Sequence, residues 1–430
     1  MLIWNIKVSE PVPWLHEEAD QRLFRAGLFE KALRESGHQT LWFSNTFAHL
    51  KKTHRNVPQN QILRPHPDGP EMVFLESPGY SSNMGFARFY DHWVQARTWR
   101  RLAPTLPRPD LIFCAYPTVD LCAAAVEYGQ AHDVPVVLDV RDLWPDVIYQ
   151  RLGRLPLLGQ LARRRWLLPY ERMSDRALRN ATALTGVGRG MVEWAQDRAH
   201  RPADARARDH HFYQSQPDPI KTAAKGEALR GFWRNREIDV DAPVVRIVWA
   251  GTLFPSIDAQ TLFDGLTLLP KQLRARTEVV ICGQGPLRPA FERAAAHLPM
   301  IRLVDWVPAD QLMGLLMHSD AGLMNYFNRF DFQRAIPNKV VDYAAAGLPI
   351  ITGVQGELTK LAGDSGAVVH YTVGDPGSMA AALELIHAHA SPSHRAAGPS
   401  RRLFEDNFEA RHVMSAFTAF VEDLAKKGAK

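Results

Sequence analysis

The most chemically suggestive spacing in the chain lies at 321–352, AGLMNYFNRFDFQRAIPNKVVDYAAAGLPIIT. An apolar run leads into a polar and aromatic loop, Pro337 suits the first position of a helix, Gly347 suits its close, and Pro349 precedes another apolar run. A helix amino terminus at Pro337, Asn338 and Lys339 offers free N–H groups and the positive end of the helix dipole, which suits a diphosphate. Lys339 adds a full charge. Asp342 lies about one turn beyond Asn338 on the same face, where its carboxylate can accept both hydroxyls of a ribose. The alternative is a solvated helix with an incidental acid.

Three other loops follow apolar runs. RIVWA empties into Gly251, Thr252 and Leu253, where a glycine permits close backbone approach and a hydroxyl can bond a phosphate oxygen, although an ordinary turn explains it equally well. VVICGQGPL sets Gly283 and Gly285 before a helix; the third glycine and the acid of a dinucleotide fingerprint are not in place, which argues against an oxidoreductase. IRLVD leads to Trp306, Val307 and Pro308, whose backbone can read a nucleobase edge, with core packing the favoured role for the Trp306 side chain.

Such loops need a scaffold that presents them together. The first half alternates short apolar runs with helical patterns, which predicts a parallel sheet flanked by helices, with strands near 2–8, 40–44, 72–76, 110–116, 136–139 and 183–187. A helix over 22–36 stops at Gly37, a good left-handed cap. A second series follows at 245–250, 278–282, 301–303, 321–324 and 349–352, and a last helix covers 411–426. The polar, Pro-containing stretch between the series reads as a linker, with FYQS considered as one last strand. The domains expected are therefore 1–205 and 241–408, joined by a linker at 206–240 and followed by a terminal helical segment at 409–430.

A length of 430 residues exceeds what one core usually supports, and 46% hydrophobic with 23% charged residues excludes a disordered or fibrous protein. No apolar run reaches spanning length, and the start MLIWNIKVSEPVPW lacks the zones of a signal peptide, so a cytoplasmic location is expected. Cys114, Cys122 and Cys282 lack metal or disulfide spacing and read as buried, reduced thiols. The net charge of +5 concentrates at 151–209, where 13 arginines face six acids. A basic surface there suits anionic lipid or a phosphate-bearing acceptor.

Residues 336–351 resemble the donor-site helix of retaining glycosyltransferase family 4, in its variant with a Pro-x-Lys start, an acid-Tyr pair and Ala-Ala-Gly-x-Pro. The resemblance extends to AGTL at 250, CGQGP at 282, WVP at 306, GHQT at 37 and DVRDLWPD at 139, nearly the whole chain. It implies an α/β GT-B fold: two facing Rossmann-like domains, donor in the second, acceptor in the first, and a final helix crossing back to the first. It also implies transfer of a sugar, with retention, from a nucleotide sugar to a glycan or lipid-linked saccharide in bacterial surface polysaccharide synthesis. Gly251 and Thr252 would then approach the diphosphate or acceptor, Gly283 and Gly285 would line the nucleotide pocket, and Asp342 would bind the ribose.

Three departures from the family stand out. Of its two glutamates eight positions apart, the second place holds Asp342 and the first falls on Arg334. Its Arg and Lys after the first donor strand are absent from GTLFPSID, which leaves Lys339, Arg329 or Arg334 to supply the charge. The loop EPVPWLHEEADQR lacks the expected glycine pair and carries Glu17, Glu18 and Asp20.

DVRDLWPD resembles a pattern in polysaccharide-building members and would place Arg141 and Asp142 at the cleft floor, with Asp142 orienting or deprotonating the acceptor hydroxyl and Glu17 as the rival base. A structural pair of Arg141 with Asp142 or Asp139 is the competing role. The departing nucleoside diphosphate gains negative charge, so fixed N–H dipoles and a cation should do most of the catalytic work. No metal motif or cofactor site is visible. Residues 154–180 mix leucines, Trp166 and arginines, and either lie on an anionic membrane at the inner face of the plasma membrane or form a solvated helix interrupted by Pro169. A GT-B sugar-nucleotide 2-epimerase or phosphorylase, and a non-enzymatic membrane or nucleic-acid binder, are the alternatives. The lack of aromatics interleaved with the basic patch argues against nucleic acid.

Overall fold

The computed structural model describes residues 1–18, 23–49, 51–83, 85–152, 157–389 and 398–428, with side chains except at 17, 150–152, 157–164, 166 and 428. The chain forms two compact units, one of Met1–Tyr213 with Val413–Lys430 and one of Gln214–His412.

The first unit holds β1 (Leu2–Ile6), β2 (Gln39–Asn45), β3 (Phe47–Ala48), β4 (Thr53–His54), β5 (Ile62–Leu63), β6 (Glu71–Leu75), β7 (Leu111–Tyr116), β8 (Val136–Val140) and β9 (Ala183–Gly186). Its main sheet runs β5-β6-β2-β1-β7-β8-β9, with β5 antiparallel to β6 and the other pairs parallel, while β3 and β4 form a separate hairpin. β7 and β8 are buried along their whole length, as parallel strands covered on both faces must be. Residues from Val413 onwards complete this core. Phe417 stacks on Phe29 with ring centroids 3.7 Å apart, meets Phe113 edge-on at 5.1 Å, and His38 bonds Glu422 at 3.0 Å.

The second unit holds β10 (Val245–Ala250), β11 (Thr277–Cys282), β12 (Ile301–Val304), β13 (Ala321–Met324), β14 (Ile350–Thr352) and β15 (Val368–His370) in the all-parallel order β12-β11-β10-β13-β14-β15. Counted within the unit this is the 3-2-1-4-5-6 order of a Rossmann sheet, and the first unit repeats it behind its added β5. In such sheets the crevice for a ligand opens where the strand order reverses, here between β10 and β13 and between β1 and β7.

The 206–240 stretch is not a free linker. Its start runs along β9, with His210 N–H bonded to Leu184 O and Phe212 N–H to Gly186 O, so FYQS is extended chain rather than a strand. Its remainder folds onto the second unit: Trp233 is fully buried and bonds Gln311 O, and buried Arg246 ties Asp239 O and Val240 O to β10. An amphipathic helix, Gly226–Arg234, hides inside a stretch too short and polar to announce it. The three cysteines are buried thiols, with Cys114 and Cys122 sulfurs 3.6 Å apart and the Cys282 thiol pushed up to about 12 by burial.

Candidate functional site

In the second unit the chain leaves β10 through Gly251, whose N–H bonds Cys282 O at 2.9 Å. Gly283 has φ 144°, and a Cβ there would stand 1.8 Å from Gly251 O; at Gly285, φ 150°, a Cβ would stand 2.5 Å from Leu253 O. Leu253 N–H bonds Gln284 O at 2.8 Å and Leu287 N–H bonds Leu253 O at 2.9 Å. The glycines of CGQGP therefore let one strand-end loop lie flat on the other, and their close approach is to backbone. Thr252 is exposed beside them.

The helix Asn338–Ala345 brings the side chain of its second residue, Lys339, against this loop. Pro337 is the extended residue before the helix rather than its first member, and no side chain caps the end. Asn338 is exposed and Asp342 half-buried. Tyr343, fully buried, accepts the Ala250 N–H at 3.2 Å and donates to Leu323 O at 3.3 Å, which pins the helix to the ends of β10 and β13.

Lys339 turns inward. Its ammonium lies 3.5 Å from the Trp249 ring centroid and 4.8 Å from that of Tyr326, has no hydrogen-bond partner among the described residues, and sits 3.6 Å from where a Cβ on Gly251 would be. Burial holds its pKa well below the ordinary lysine value, and the nearby Asp342 charge opposes this only in part. Two aromatic faces thus hold a cation directly beneath the Gly251 loop.

Of the other charges proposed here, Arg329 is already occupied, bonded to both oxygens of Asp331 at 3.0–3.1 Å and to Ser256 Oγ at 2.6 Å. Arg334 lies 3.7 Å above the Phe330 ring and bonds Phe330 O at 3.4 Å. Val307 is half-buried, but Trp306 is 62% exposed, against the expectation of core packing, because β12 ends two residues earlier and releases it at the sheet edge.

In the first unit, Asp139 at the end of β8 is fully buried between two guanidinium groups. Arg25 donates to both its oxygens at 2.9 Å, Arg141 to one at 2.6 Å, and Thr185 Oγ1 at 2.8 Å. Burial alone would raise its pKa, yet the charges of Arg25 and Arg141 outweigh that and hold it well below the usual carboxylate range. Arg141 also binds Glu10, whose carboxylate accepts the Ala26 N–H at 3.1 Å near the start of the helix Arg25–Glu35. Arg141 is thus locked into the structural pairing with Asp139. Asp142 accepts the Leu143 N–H at 2.8 Å and the Trp144 indole N–H at 3.1 Å, so both oxygens brace its own turn. The Glu17 side chain and Asp20 lie outside the described residues.

Sequence reasoning missed Lys7, Arg25 and Arg88. Lys7 immediately follows β1, and that position at a strand's carboxyl end was the available signal. The basic excess at 151–209 is partly internal: Arg201 is buried on Asp209 at 2.8 Å, and Arg198 bridges Asp146, Glu171 and Asp175. Arg165, Arg172 and Arg176 are exposed, while 153–156 lie outside the described residues.

Residues 26–207 match the family model described as glycosyl transferase 4-like domain, and residues 245–389 match that described as glycosyl transferases group 1. No curated protein sequence matches the chain significantly. Among solved structures, a sucrose-phosphate synthase from Thermosynechococcus elongatus is similar with a TM-score of 0.71 at 12% identity, covering 99% of each chain. The Anabaena protein HepE in complex with UDP gives 0.66 at 11%, covering 98% of this chain and 100% of that one. An α,α-trehalose-phosphate synthase (UDP-forming) from Burkholderia vietnamiensis gives 0.71 at 13%, covering 100% and 98%. At these identities the likeness is one of fold.

Proposed function

From the premise that this chain belongs to the GT-B glycosyltransferases of the family 4 type, with a matched domain in each half, we propose that it moves a sugar from a nucleotide sugar to a glycan or lipid-linked saccharide. The observation that carries the donor assignment is the solvent-shielded, unpartnered Lys339 ammonium under the Gly251 loop, at a helix amino terminus that no side chain caps. Both supply positive potential where the carboxyl ends of β10 and β13 part, the place a doubly wound sheet reserves for its ligand. In this reading Asp342, one turn along and half-buried, accepts the ribose hydroxyls. HepE and the trehalose-phosphate synthase are a UDP complex and a UDP-forming enzyme, which supports a uridine nucleotide as the first donor to try.

In the reaction, the bond between the anomeric carbon and the diphosphate oxygen breaks, and a bond to the acceptor hydroxyl oxygen forms as that hydroxyl passes its proton to an oxygen of the departing diphosphate. The diphosphate leaves with added negative charge, which the helix N–H groups stabilise by contact. In this conformation Lys339 acts through its field, from behind the loop. Protein groups rather than a metal or cofactor take the leaving-group charge in this reading, and retention is supported by the family resemblance. A role in bacterial surface polysaccharide synthesis has the same support. No helix among the described residues is long and apolar enough to cross a membrane. A cytoplasmic protein that touches the inner face of the plasma membrane through 154–180 would use the exposed Arg165, Arg172 and Arg176.

A thermal screen of UDP-, GDP- and ADP-sugars tests the donor. A ligand at 100 times its Kd adds about 2.7 kcal/mol, hence several degrees of melting temperature. Asp342→Ala should abolish that shift while leaving the unliganded transition in place; an unchanged shift would remove the assignment.

A further inference from the structure

The carboxyl edge of the first sheet gathers cations that its acids leave uncompensated. Half-buried Lys7 follows β1, and its ammonium makes no hydrogen bond or ion pair among the described residues. Arg88 is held by aromatic faces: its guanidinium carbon is 4.7 Å from the Trp144 ring centroid and 5.5 Å from that of Tyr80. One Nη bonds Asn83 O at 2.8 Å, and Nε is buried without a partner among the described residues. Lys52 stands 4.4 Å from the same Tyr80 ring, on Asn83 Oδ1 and His49 Nδ1.

The acids nearby are engaged elsewhere. Glu10 holds Arg141 and the Ala26 N–H, and Asp91 accepts from Ser77 Oγ, Gly79 N–H and Gln95 Nε2. Among the described residues, Arg25 and Arg141 pair with Asp139 and Glu10, Asp142 braces its own turn, and Asp91 is the carboxylate whose charge acts on Lys52 and Arg88. Two histidines nearby are lowered first by burial and then by these cations. Burial first, then the charges of Lys52, Arg88 and Lys7, push His49 down to about 4; burial, Arg88 and then smaller contributions push buried His92 down to about 3. Burial and the Arg141 charge likewise bring Lys7 down to about 8. Cations packed on rings and amides rather than on carboxylates remain able to take an anion.

We propose that this edge binds a phosphate group carried by the acceptor, with Lys7, Lys52 and Arg88 contacting its oxygens. Three cations exceed what a single carboxylate would need, and a phosphate monoester or diphosphate supplies the matching charge. The inference rests on the first unit being the acceptor side of a glycosyltransferase. The phosphate belongs either to a soluble sugar phosphate or to the diphosphate of a lipid-linked saccharide.

The test is calorimetry on the full chain saturated with UDP, so that the anion site of the second unit is filled. Glucose 6-phosphate and geranyl diphosphate are titrated as probes, with glucose and geraniol as their uncharged counterparts. At least one phosphorylated probe should bind and its counterpart should not, and the one that binds names the source. Affinity should fall about tenfold or more in Arg88→Gln and in Lys52→Asn, the latter chosen because Lys52 has φ 55° and asparagine tolerates it. Failure of both phosphorylated probes, equal binding of the uncharged ones, or indifference to both substitutions overturns the proposal. Absence of UDP binding with phosphate binding intact would instead remove the donor reading alone, and the same substitutions then decide this one without UDP.

Discussion

Lys339→Met should stabilise the unliganded protein and weaken its hold on a nucleoside diphosphate. The substitution keeps a long, flexible apolar stem against Trp249 and Tyr326 and removes only the ammonium, which stands 3.5 Å from the Trp249 centroid with no hydrogen-bond partner among the described residues. Desolvating an ion costs several kcal/mol, of which cation–π contact returns about 2 kcal/mol. The positive end of the helix dipole opposes the charge by a further ~0.5 kcal/mol. The net gain on removal is about 1–2 kcal/mol, or roughly 2–8 °C in melting temperature for a unit of this size. Against this, losing a cation beneath a bound diphosphate should weaken UDP by about tenfold or more.

The pH dependence supplies a second reading of Lys339. Because folding lowers its pKa, the folded state sheds the proton first. The penalty is therefore full below the folded pKa and fades as pH rises from there towards about 10.4, the value in the unfolded chain. The stability difference between variant and wild type should shrink across that window. Differential scanning calorimetry with and without UDP, at pH 7 and 9, reads both effects. A variant that melts lower than wild type without ligand, or binds UDP equally well, would refute the reasoning.

Asp139→Asn leaves Arg25 and Arg141 facing each other across a buried site and should cost about 3–5 kcal/mol by urea denaturation. Since folding depresses the Asp139 pKa, its contribution is present above about pH 3.9 and is lost as pH falls below it, so the variant's stability should vary less with acid than the wild type's. Gly283→Ala puts a methyl group 1.8 Å from Gly251 O and should cost at least about 3 kcal/mol, whereas Gly374→Ala, at φ 81° with nothing within 4 Å, should cost about 1 kcal/mol. Equal denaturation midpoints for the two alanine variants would show that the strand-end loops do not pack as described.

What the sequence disclosed depends on how local the information was. Ala321–Met324, the helix Asn338–Ala345 and Ile350–Thr352 are adjacent and set off by Pro337, Gly347 and Pro349, so that segment could be read directly from its punctuation. Short pieces such as Ile62–Leu63 and Val368–His370 carry too few residues to show a period, and both add edge strands that went unread. The linker expected at 206–240 failed for a related reason: Trp233 and Arg246 reveal their burial only once the partners they reach are known. At the site, the residue types were visible but their directions were not. That Lys339 faces Trp249 depends on contact between β10 and a helix some 90 residues later, and that Gly283 faces Gly251 depends on β10 pairing with β11. Asp142 drew attention as an acid at a strand end, but its bonds to Leu143 and Trp144 follow from the turn's shape.

The first unit takes its last packing residues from beyond Val413, after the whole second unit has been encoded. On the ribosome, Phe29, Phe113 and Phe212 are made within the first 213 residues, and their partner Phe417 emerges about 200 residues later. At 5–20 residues per second that is a wait of about 10–40 s with an apolar groove uncovered. The nascent first unit is therefore a natural client for a holdase chaperone. A chain arrested before residue 413 should be captured by one, and release should coincide with synthesis of the final helix.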